Sequence, residues 1–141
     1  MNTLYSTKAI AVGGRAGHVR TEDSLFSANL ALPKALGGKE NGTNPEQLFA
    51  AGYAACFGNA IIFVARDQKI ALKDADVEVI AEVGIGARAE GGFQLSVSMN
   101  VALTHISQEL AEQLVQTAHA ICPYSNAIRG NIDVKFTVTS R

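Results

Sequence analysis

The chain has 141 residues, of which 48% are hydrophobic, and its formal net charge at pH 7 is −1. This length suffices for one domain with a sizeable core, so we predict a single domain over residues 1–141. The near-neutral charge provides no basic footprint, and we expect no nucleic acid as a partner. The first residues lack a basic segment followed by an apolar run, so we expect no signal peptide and a cytoplasmic protein.

Two strands joined by a glycine-rich turn are predicted in the N-terminal third of the chain. Residues 3–12 have strand composition, and residues 26–32 alternate in polarity until Pro33 ends the run. Residues 13–18 form the turn, which carries Arg15. No Gly-Lys-Ser/Thr sequence follows and no helix opens from this turn, so we do not interpret it as a phosphate-binding loop.

The stretch from Leu48 to Ala65 contains no charged residue and predicts a long helix. Thr43 or Asn44 can cap its first free amides, and Pro45 suits the first helical position. Two stripes of this helix are largely apolar, which predicts that both of its faces are buried. The first stripe contains Leu48, Gly52, Ala55, Cys56, Asn59 and Phe63, and the second contains Phe49, Tyr53, Phe57, Ala60 and Val64.

This segment also reaches the threshold length of a membrane-spanning helix. However, Ala, Gly, Asn and Cys dilute its hydrophobicity, and the rest of the chain has the pattern of amphipathic strands that need a covering element. We therefore favour a core helix that ends near residues 66–69, and we expect no membrane association.

A hairpin of two long strands is predicted after this helix. Residues 77–85 and 94–103 alternate between apolar and polar side chains, and residues 90–92 mark the turn between them. Such alternation indicates a hairpin with one dry face.

Two helices and a last strand are predicted to complete the chain. One helix starts near Ser107 and ends at Cys122, because the residue before Pro123 resists the helical region. A short helix over residues 124–129 and a strand over residues 132–138 follow. The order β-β-α-β-β-α-α-β predicts an α+β domain built on an antiparallel sheet.

Cys56, in the middle of the long helix, is the first candidate for chemistry. The thiolate is the nucleophilic form of cysteine, and burial in the middle of a helix raises a thiol's pKa, so a reactive Cys56 needs a nearby cation. Arg15, on its glycine-flanked loop, is a plausible source of that charge, and a buried arginine would itself need a carboxylate. Glu46 is the carboxylate nearest in sequence to Cys56, although it could also serve simply as a carboxylate at the positive end of the helix.

Cys122, directly before Pro123, is the second candidate. It lies at the cap of the short helix that follows, where the positive helix end favours a thiolate. A thiol in this position can condense with an oxidised partner to form a disulfide. The alternative for each cysteine is an inert buried thiol, here a small residue at a helix junction.

The histidines give little support for a metal site. His119 and Cys122 have a metal-like spacing, but no second pair of ligands accompanies them, so we expect no bound metal. His18 and His105 are predicted to be surface residues on a loop and at a strand end.

Three segments of the sequence carry a family resemblance: residues 44–57 (NPEQLFAAGYAACF), residues 122–131 (CPYSNAIRGN) and residues 13–15 (GGR). Together they closely resemble the organic hydroperoxide resistance proteins, which belong with the osmotically induced OsmC proteins in one superfamily. The resemblance spans essentially the whole chain, and the CPYS sequence resembles the hydroperoxide resistance branch. One departure is Asp23-Ser24, where family members often have Asp-Gly at a turn, which leaves the local turn geometry open.

The resemblance implies a thiol peroxidase that reduces organic hydroperoxides to alcohols without a cofactor. Cys56 would match the family's peroxidatic cysteine and Cys122 its resolving cysteine. Arg15 and Glu46 match the arginine and glutamate that keep the thiolate active. The implied cycle passes through a Cys56 sulfenic acid and a Cys56–Cys122 disulfide, which a dihydrolipoyl protein then reduces.

The resemblance also implies a fold and an assembly. Antiparallel sheets would surround a buried central helix that bears the cysteine, in an intertwined homodimer with two active sites at the interface. Such an assembly would explain a helix that is apolar on both faces in so short a chain. The Phe, Tyr and aliphatic residues around Cys56 favour an apolar alkyl hydroperoxide over hydrogen peroxide.

One alternative remains from a different functional class. A redox-sensing or small-molecule-binding protein of the OsmC type could use the same cysteines without significant turnover. Catalytic consumption of peroxide in the presence of excess dithiol would distinguish the enzyme from either of these.

Overall fold

The computed structural model describes residues 1–141, which form two compact units, Met1–Leu48 and Phe49–Arg141. The helix that bears Cys56 begins in the first unit and continues in the second. The prediction of a single domain over the whole chain stays a prediction.

The first unit contains a three-stranded antiparallel sheet. Its strands are β1 (Ala9–Val12), β2 (His18–Thr21) and β3 (Ser27–Asn29), in the order β1-β2-β3. The sequence pattern predicted only two strands here and missed β2. A four-residue strand is too short to show a clear alternation, and β2 is defined by its hydrogen-bonded neighbours on both sides. The two strands that were predicted, over residues 3–12 and 26–32, are longer than the observed β1 and β3.

A tight glycine turn joins β1 to β2 and holds Arg15. Gly13 has a φ of 83°, a left-handed conformation that glycine adopts at little cost. A Cβ atom on Gly17 would lie 1.7 Å from the carbonyl oxygen of Val12, so no other residue fits that position without displacing the backbone. Arg15 lies between these glycines, in a short 3₁₀ turn over Gly14–Ala16.

The long helix, α1, runs from Pro45 to Asp67. The Asn44 side-chain oxygen accepts a hydrogen bond of 2.9 Å from the Gln47 amide, so Asn44 is the N-cap. Pro45 occupies the first helical position, where its missing N–H removes no helical hydrogen bond. The predicted start and the predicted end near residues 66–69 are both confirmed.

Within one chain α1 buries mainly one face. The prediction that both faces are buried stays a prediction, since the resemblance ties it to a homodimer. The buried side chains are Tyr53, Phe57, Ala60, Ile61, Val64 and Ala65. Ala55 and Asn59 on the other stripe are exposed, and Phe63 has 61% of its surface accessible. These three residues belong to the first stripe, of which Gly52 and Cys56 are partly buried.

By length and hydropathy alone α1 could cross a membrane, and 33% of its most apolar window is buried. A core helix of a soluble protein passes the same test, so this property is weak support for a membrane span. The expected absence of membrane association stays a prediction.

The second unit contains a mixed three-stranded sheet. Strands β4 (Val77–Ala87) and β5 (Phe93–Leu103) form the predicted antiparallel hairpin, and β6 (Lys135–Ser140) pairs with β5 in parallel. The parallel pairing differs from the predicted all-antiparallel sheet. It arises because the chain returns to the starting end of β5 through a helical crossover, the connection that parallel strands require.

Two helices form that crossover, α2 (Gln108–Ile121) and α3 (Pro123–Ile128). The Ser107 hydroxyl caps α2 by accepting a 3.2 Å hydrogen bond from the Leu110 amide, as the predicted start requires. Helices and sheet enclose one apolar core, whose largest fully buried apolar side chains are Tyr53, Phe57, Ile61, Met99, Leu103 and Leu114. The predicted α+β class is confirmed, and α1 lies in this core.

Candidate active site

Cys56 and Cys122 meet in the second unit. Cys56 lies on α1 and is half-buried, whereas Cys122 lies between α2 and α3 and is fully buried. Both are free thiols, and the Cys122 Sγ donates a hydrogen bond to the Cys56 Sγ over 3.8 Å. A disulfide bond is about 2.05 Å long, so the two sulfurs must approach by less than 2 Å to be joined.

Local backbone chemistry places Cys122 at a corner. Its amide donates to the Ala118 carbonyl and completes α2, and its own carbonyl accepts from the Asn126 amide and begins α3. Pro123 forces the extended conformation at Cys122, whose φ is −60° and ψ is 126°. The chain therefore turns at the cysteine and directs it at α1.

The neutral form of Cys56 is favoured within this unit. Burial is the main cause that raises the pKa of the Cys56 thiol, and the adjacent Cys122 raises it further. The backbone N–H of Tyr124 donates to Cys56 and opposes this shift without cancelling it. A reactive thiolate therefore needs additional positive charge.

Arg15 and Glu46 form a two-pronged ion pair in the first unit. Arg15 Nη1 donates to Glu46 Oε2 over 2.8 Å, and Nη2 donates to Oε1 over 2.6 Å. The hydrogen bonds from Arg15 hold the pKa of Glu46 below its usual value, and Glu46 in turn raises the pKa of Arg15. Two parallel hydrogen bonds fix the plane of the guanidinium, which a single contact would not.

The structure thus gathers the four predicted site residues into two pairs, one in each compact unit. Each pair joins residues that are distant in sequence, 31 positions apart for Arg15 and Glu46 and 66 for the cysteines. The catalytic roles assigned to the four residues stay predictions.

Three aromatic rings form a cluster next to Cys56 in the second unit. Phe49 and Tyr53, on the preceding turns of α1, have ring centroids 6.1 Å apart, and the Tyr124 ring lies 6.1 Å from Phe49 and 5.6 Å from Tyr53. Gly52 makes room for this cluster, because a Cβ atom there would lie 2.7 Å from the Tyr124 hydroxyl oxygen.

A buried hydrogen-bonded chain, which the sequence did not reveal, links α1 to the corner at Cys122. The Tyr53 hydroxyl lies 2.7 Å from the Ser125 Oγ, and this oxygen lies 2.9 Å from the His119 Nδ1. Tyr53 and Ser125 are both fully buried. Burial and the charge of Arg129 lower the pKa of His119, so its neutral form is favoured.

From its spacing in the sequence, His119 was a candidate only as a metal ligand. The structure groups no three His, Cys, Asp or Glu side chains in a way that could hold a metal ion. The His119 ring instead has the uncharged hydroxyl of Ser125 as its hydrogen-bond partner, which sequence spacing does not mark.

Comparisons with known proteins agree with this architecture. The model of the OsmC-like protein family matches residues 37–137. The organic hydroperoxide resistance protein-like 2 of Staphylococcus epidermidis is 46% identical, with 99% of each chain covered. A crystal structure of an organic hydroperoxide resistance protein from Legionella pneumophila superposes with a TM-score of 0.93 at 54% identity, covering 98% of this chain and 99% of that one.

A second solved structure, an organic hydroperoxide resistance protein from Vibrio cholerae with captopril bound in one of the active sites, superposes with a TM-score of 0.93 at 55% identity. It covers 98% of this chain and 94% of its own. The chain belongs to the OsmC-like family, and within that family to the organic hydroperoxide resistance proteins.

Proposed function

We propose that this protein is a cysteine-based peroxidase that reduces organic hydroperoxides to alcohols. The observation that carries the proposal is the 3.8 Å approach of two free thiols, one of them half-exposed on the central helix. The names of its relatives support an organic hydroperoxide as the substrate.

In the first step, the Cys56 thiolate attacks the outer oxygen of the hydroperoxide. The O–O bond breaks, the departing alkoxide takes up a proton and leaves as an alcohol, and Cys56 becomes a sulfenic acid. Because burial raises the pKa of Cys56, a cation must stabilise the thiolate. We assign that role to Arg15, with Glu46 fixing the plane of its guanidinium.

In the second step, Cys122 attacks the oxidised sulfur of Cys56. The S–S bond forms as the S–O bond breaks, and the leaving hydroxide combines with the proton from Cys122 to form water. The existing contact between the two sulfurs supports this pairing, since neither helix needs to be rebuilt for them to meet.

A dithiol then reduces the disulfide and restores both thiols. Following the family resemblance, we assign this role to a dihydrolipoyl protein, which supplies two electrons and two protons as its own dithiol becomes a disulfide. A cytoplasmic location, where thiols are kept reduced, suits this cycle.

The aromatic cluster of Phe49, Tyr53 and Tyr124 supports an alkyl or fatty-acid hydroperoxide as the substrate. Its rings offer apolar area beside Cys56, and an alkyl chain gains by burying its surface against them. Hydrogen peroxide has no apolar part and gains nothing from this contact.

We also propose that two copies of the chain associate as a homodimer. The exposed side chains on one face of α1, among them Phe63 with 61% of its surface accessible, support this assembly. Light scattering at micromolar concentration should report twice the mass of the chain, and a stable monomer would contradict the proposal.

The decisive experiment compares the parent protein with Cys56→Ser. With a dihydrolipoyl reductant in excess, the parent should consume a fatty-acid hydroperoxide and an alkyl hydroperoxide faster than hydrogen peroxide. Cys56→Ser should consume none of them while keeping the parent's circular dichroism spectrum, because serine is nearly isosteric with cysteine. Oxidation of the parent's thiols without repeated turnover would favour the redox-sensing alternative instead.

A further inference from the structure

The chain of hydrogen bonds from Tyr53 through Ser125 to His119 has a preferred direction. Tyr53 is fully buried and has Ser125 as its hydrogen-bond partner, so the Tyr53 hydroxyl must donate to Ser125 to use its own hydrogen. The Ser125 hydroxyl can then donate to His119 Nδ1. This arrangement satisfies both buried hydroxyls only when His119 is neutral, with its hydrogen on Nε2.

Protonation of His119 reverses the direction of its hydrogen bond with Ser125. A hydrogen on Nδ1 would donate to Ser125, and the hydrogen of either Ser125 or Tyr53 would then lack an acceptor among these three side chains. An unpaired buried donor is costly, so the junction of α1, α2 and α3 is held together best by neutral His119.

The surroundings of His119 agree with a neutral ring. Directly after α3, Arg129 donates to the His119 carbonyl oxygen, and its positive charge opposes a second positive charge on the ring. Beside the ring lies a groove of about 300 Å³, to which α2 contributes Glu112 and β6 contributes apolar side chains such as Phe136. The Phe136 ring packs edge-on against His119, with centroids 5.0 Å apart.

In the sequence, Cys122 lies midway between His119 and Ser125, two members of the hydrogen-bonded chain. It is three positions after His119 and three before Ser125, at the corner where α2 ends and α3 begins. The chain ties that corner to Tyr53 of α1, the helix that carries Cys56. Weaker hydrogen bonds between Tyr53, Ser125 and His119 would therefore let Cys122 move relative to Cys56.

We infer that His119 is a positioning residue for the disulfide-forming step, acting through Ser125 and Tyr53 to hold Cys122 against Cys56. The inference rests on the proposed function. The step converts a thiol and a sulfenic acid into a disulfide and water, and it must shorten the sulfur separation from 3.8 Å. It is therefore sensitive to small displacements of the corner, whereas Cys122 is not a reactant in the attack of Cys56 on peroxide.

Two substitutions at one position separate shape from hydrogen bonding. His119→Phe keeps a ring of similar size against Phe136 but removes the acceptor. His119→Asn keeps a polar acceptor near the Nδ1 position but cannot titrate. Ser125→Ala removes the central hydroxyl of the same hydrogen-bonded chain and leaves His119 in place. His105→Asn is the matched control. It removes a histidine whose side chain is 79% exposed and which lies before α2, at the opposite end of that helix from Cys122.

The experiment is a single turnover with one equivalent of an alkyl hydroperoxide. Samples are quenched over time, and mass spectrometry follows Cys56 sulfenic acid, trapped with a cyclic 1,3-dione, separately from the Cys56–Cys122 disulfide. Cys56 should be oxidised at the parent's rate in every variant. Disulfide formation should slow by about tenfold in His119→Phe and Ser125→Ala, the effect that the loss of one buried hydrogen bond produces, and should stay near the parent's rate in His119→Asn and His105→Asn.

The pH profile of disulfide formation provides a readout that a purely structural role would not change. In the parent, the rate should fall more steeply towards acid than in His119→Asn, because only the parent can protonate the side chain at position 119 and so disrupt its hydrogen bond to Ser125. Equal disulfide rates in all variants, or identical pH profiles for the parent and His119→Asn, would overturn the inference. Failure of the parent's Cys56 to become oxidised at all would instead refute the proposed function.

Discussion

The sulfur atoms of Cys56 and Cys122 lie 3.8 Å apart although 66 positions separate them in the sequence. One belongs to the central helix and the other to a corner that Pro123 imposes between two helices. Because both segments are packed into the same core, the contact exists before any oxidation. The two thiols are therefore already in contact in the reduced protein.

Oxidation should stabilise the second unit markedly. A bond between Cys56 and Cys122 closes a loop of 66 positions, for which the chain-entropy model gives roughly 4 kcal/mol of stabilisation before any strain is subtracted. Protein treated with one equivalent of peroxide should therefore unfold at a higher denaturant concentration than reduced protein. The same treatment should leave the midpoint of Cys122→Ser unchanged, and an equal shift in that variant would contradict the prediction.

Cys122→Ser should separate the two halves of the cycle. Without Cys122 no intramolecular disulfide can form, so Cys56 should stop at the sulfenic acid. The first turnover should survive, whereas steady turnover with a dihydrolipoyl reductant should fall. Peptide mass spectrometry of the peroxide-treated parent should find a Cys56–Cys122 link, and two free thiols after treatment would reject the pairing.

Replacement of Arg15 should change the ionisation of Cys56. If Arg15 stabilises the thiolate, Arg15→Ala should raise the pKa of Cys56, because the loss of a nearby opposite charge disfavours the ionised form. Peroxide reduction should then slow at neutral pH and recover partly as the pH rises. Arg15→Lys should recover only part of the loss, because lysine cannot form the paired hydrogen bonds to Glu46.

The measurement is the pH dependence of Cys56 alkylation in the parent and the two Arg15 variants. Arg20→Ala serves as the control, since that arginine lies on the same sheet and donates only to a neighbouring backbone carbonyl. An alkylation pKa that is the same in Arg15→Ala and in the parent would show that another cation activates the cysteine.

The ion pair of Arg15 and Glu46 should make a pH-dependent contribution to stability. The pKa of Glu46 is lowered in the folded protein, so the contribution is present above the unfolded value of about 4.3 and is lost as the pH falls through the folded value. Because 39% of the Arg15 side chain is exposed, we expect only about 1 kcal/mol at neutral pH after solvent screening.

Thermal unfolding of the parent and Glu46→Gln tests this contribution. The difference in stability should be largest near neutral pH and should shrink as the solution becomes acidic. Glu22→Gln is the control, because the Glu22 pair with Lys8 is exposed on both sides and should contribute little. A difference that grows towards acid would have the wrong sign and would contradict the assignment.

Features with a local physical cause could be predicted from the sequence. The start of α1 follows from the capping side chain of Asn44 and the fixed φ of Pro45, and the corner at Cys122 follows from Pro123. The hairpin of β4 and β5 follows from its alternation and its glycine turn. In each case the residues that decide the structure are close together in the sequence.

Features set by distant partners could not be predicted in this way. The parallel pairing of β6 with β5 depends on where the crossover returns the chain, and the short β2 depends on two neighbouring strands. Tyr53 and Ser125 are 72 positions apart, and no spacing rule marks two hydroxyls that meet in a core. The residues alone left Glu46 either as the carboxylate for Arg15 or as a simple charge at the helix start, and the family resemblance favoured the pair, because a separation of 31 positions carries no signal of contact.

Two glycines of α1 should respond in opposite ways to the same substitution. A Cβ atom on Gly58 would meet Val79 Cγ2 at 3.7 Å, which is an ordinary contact, so Gly58→Ala should stabilise the protein by about 1 kcal/mol through improved helix propensity. A Cβ atom on Gly52 would lie 2.7 Å from the Tyr124 hydroxyl oxygen and 3.2 Å from its ring carbon Cζ. Gly52→Ala must therefore displace the Tyr124 ring, and this should cancel the stability gained from the better helix propensity of alanine.

The displacement of Tyr124 should also affect activity. The Tyr124 ring belongs to the aromatic cluster beside Cys56, and its backbone N–H donates to the Cys56 sulfur. Gly52→Ala should therefore slow the reduction of a fatty-acid hydroperoxide more than that of hydrogen peroxide, whereas Gly58→Ala should keep the parent's ratio of the two rates. Adding Tyr124→Phe to Gly52→Ala removes the oxygen that clashes and should restore part of the stability. If Gly52→Ala matched Gly58→Ala in both unfolding temperature and rate ratio, the Tyr124 ring would not shape the substrate site.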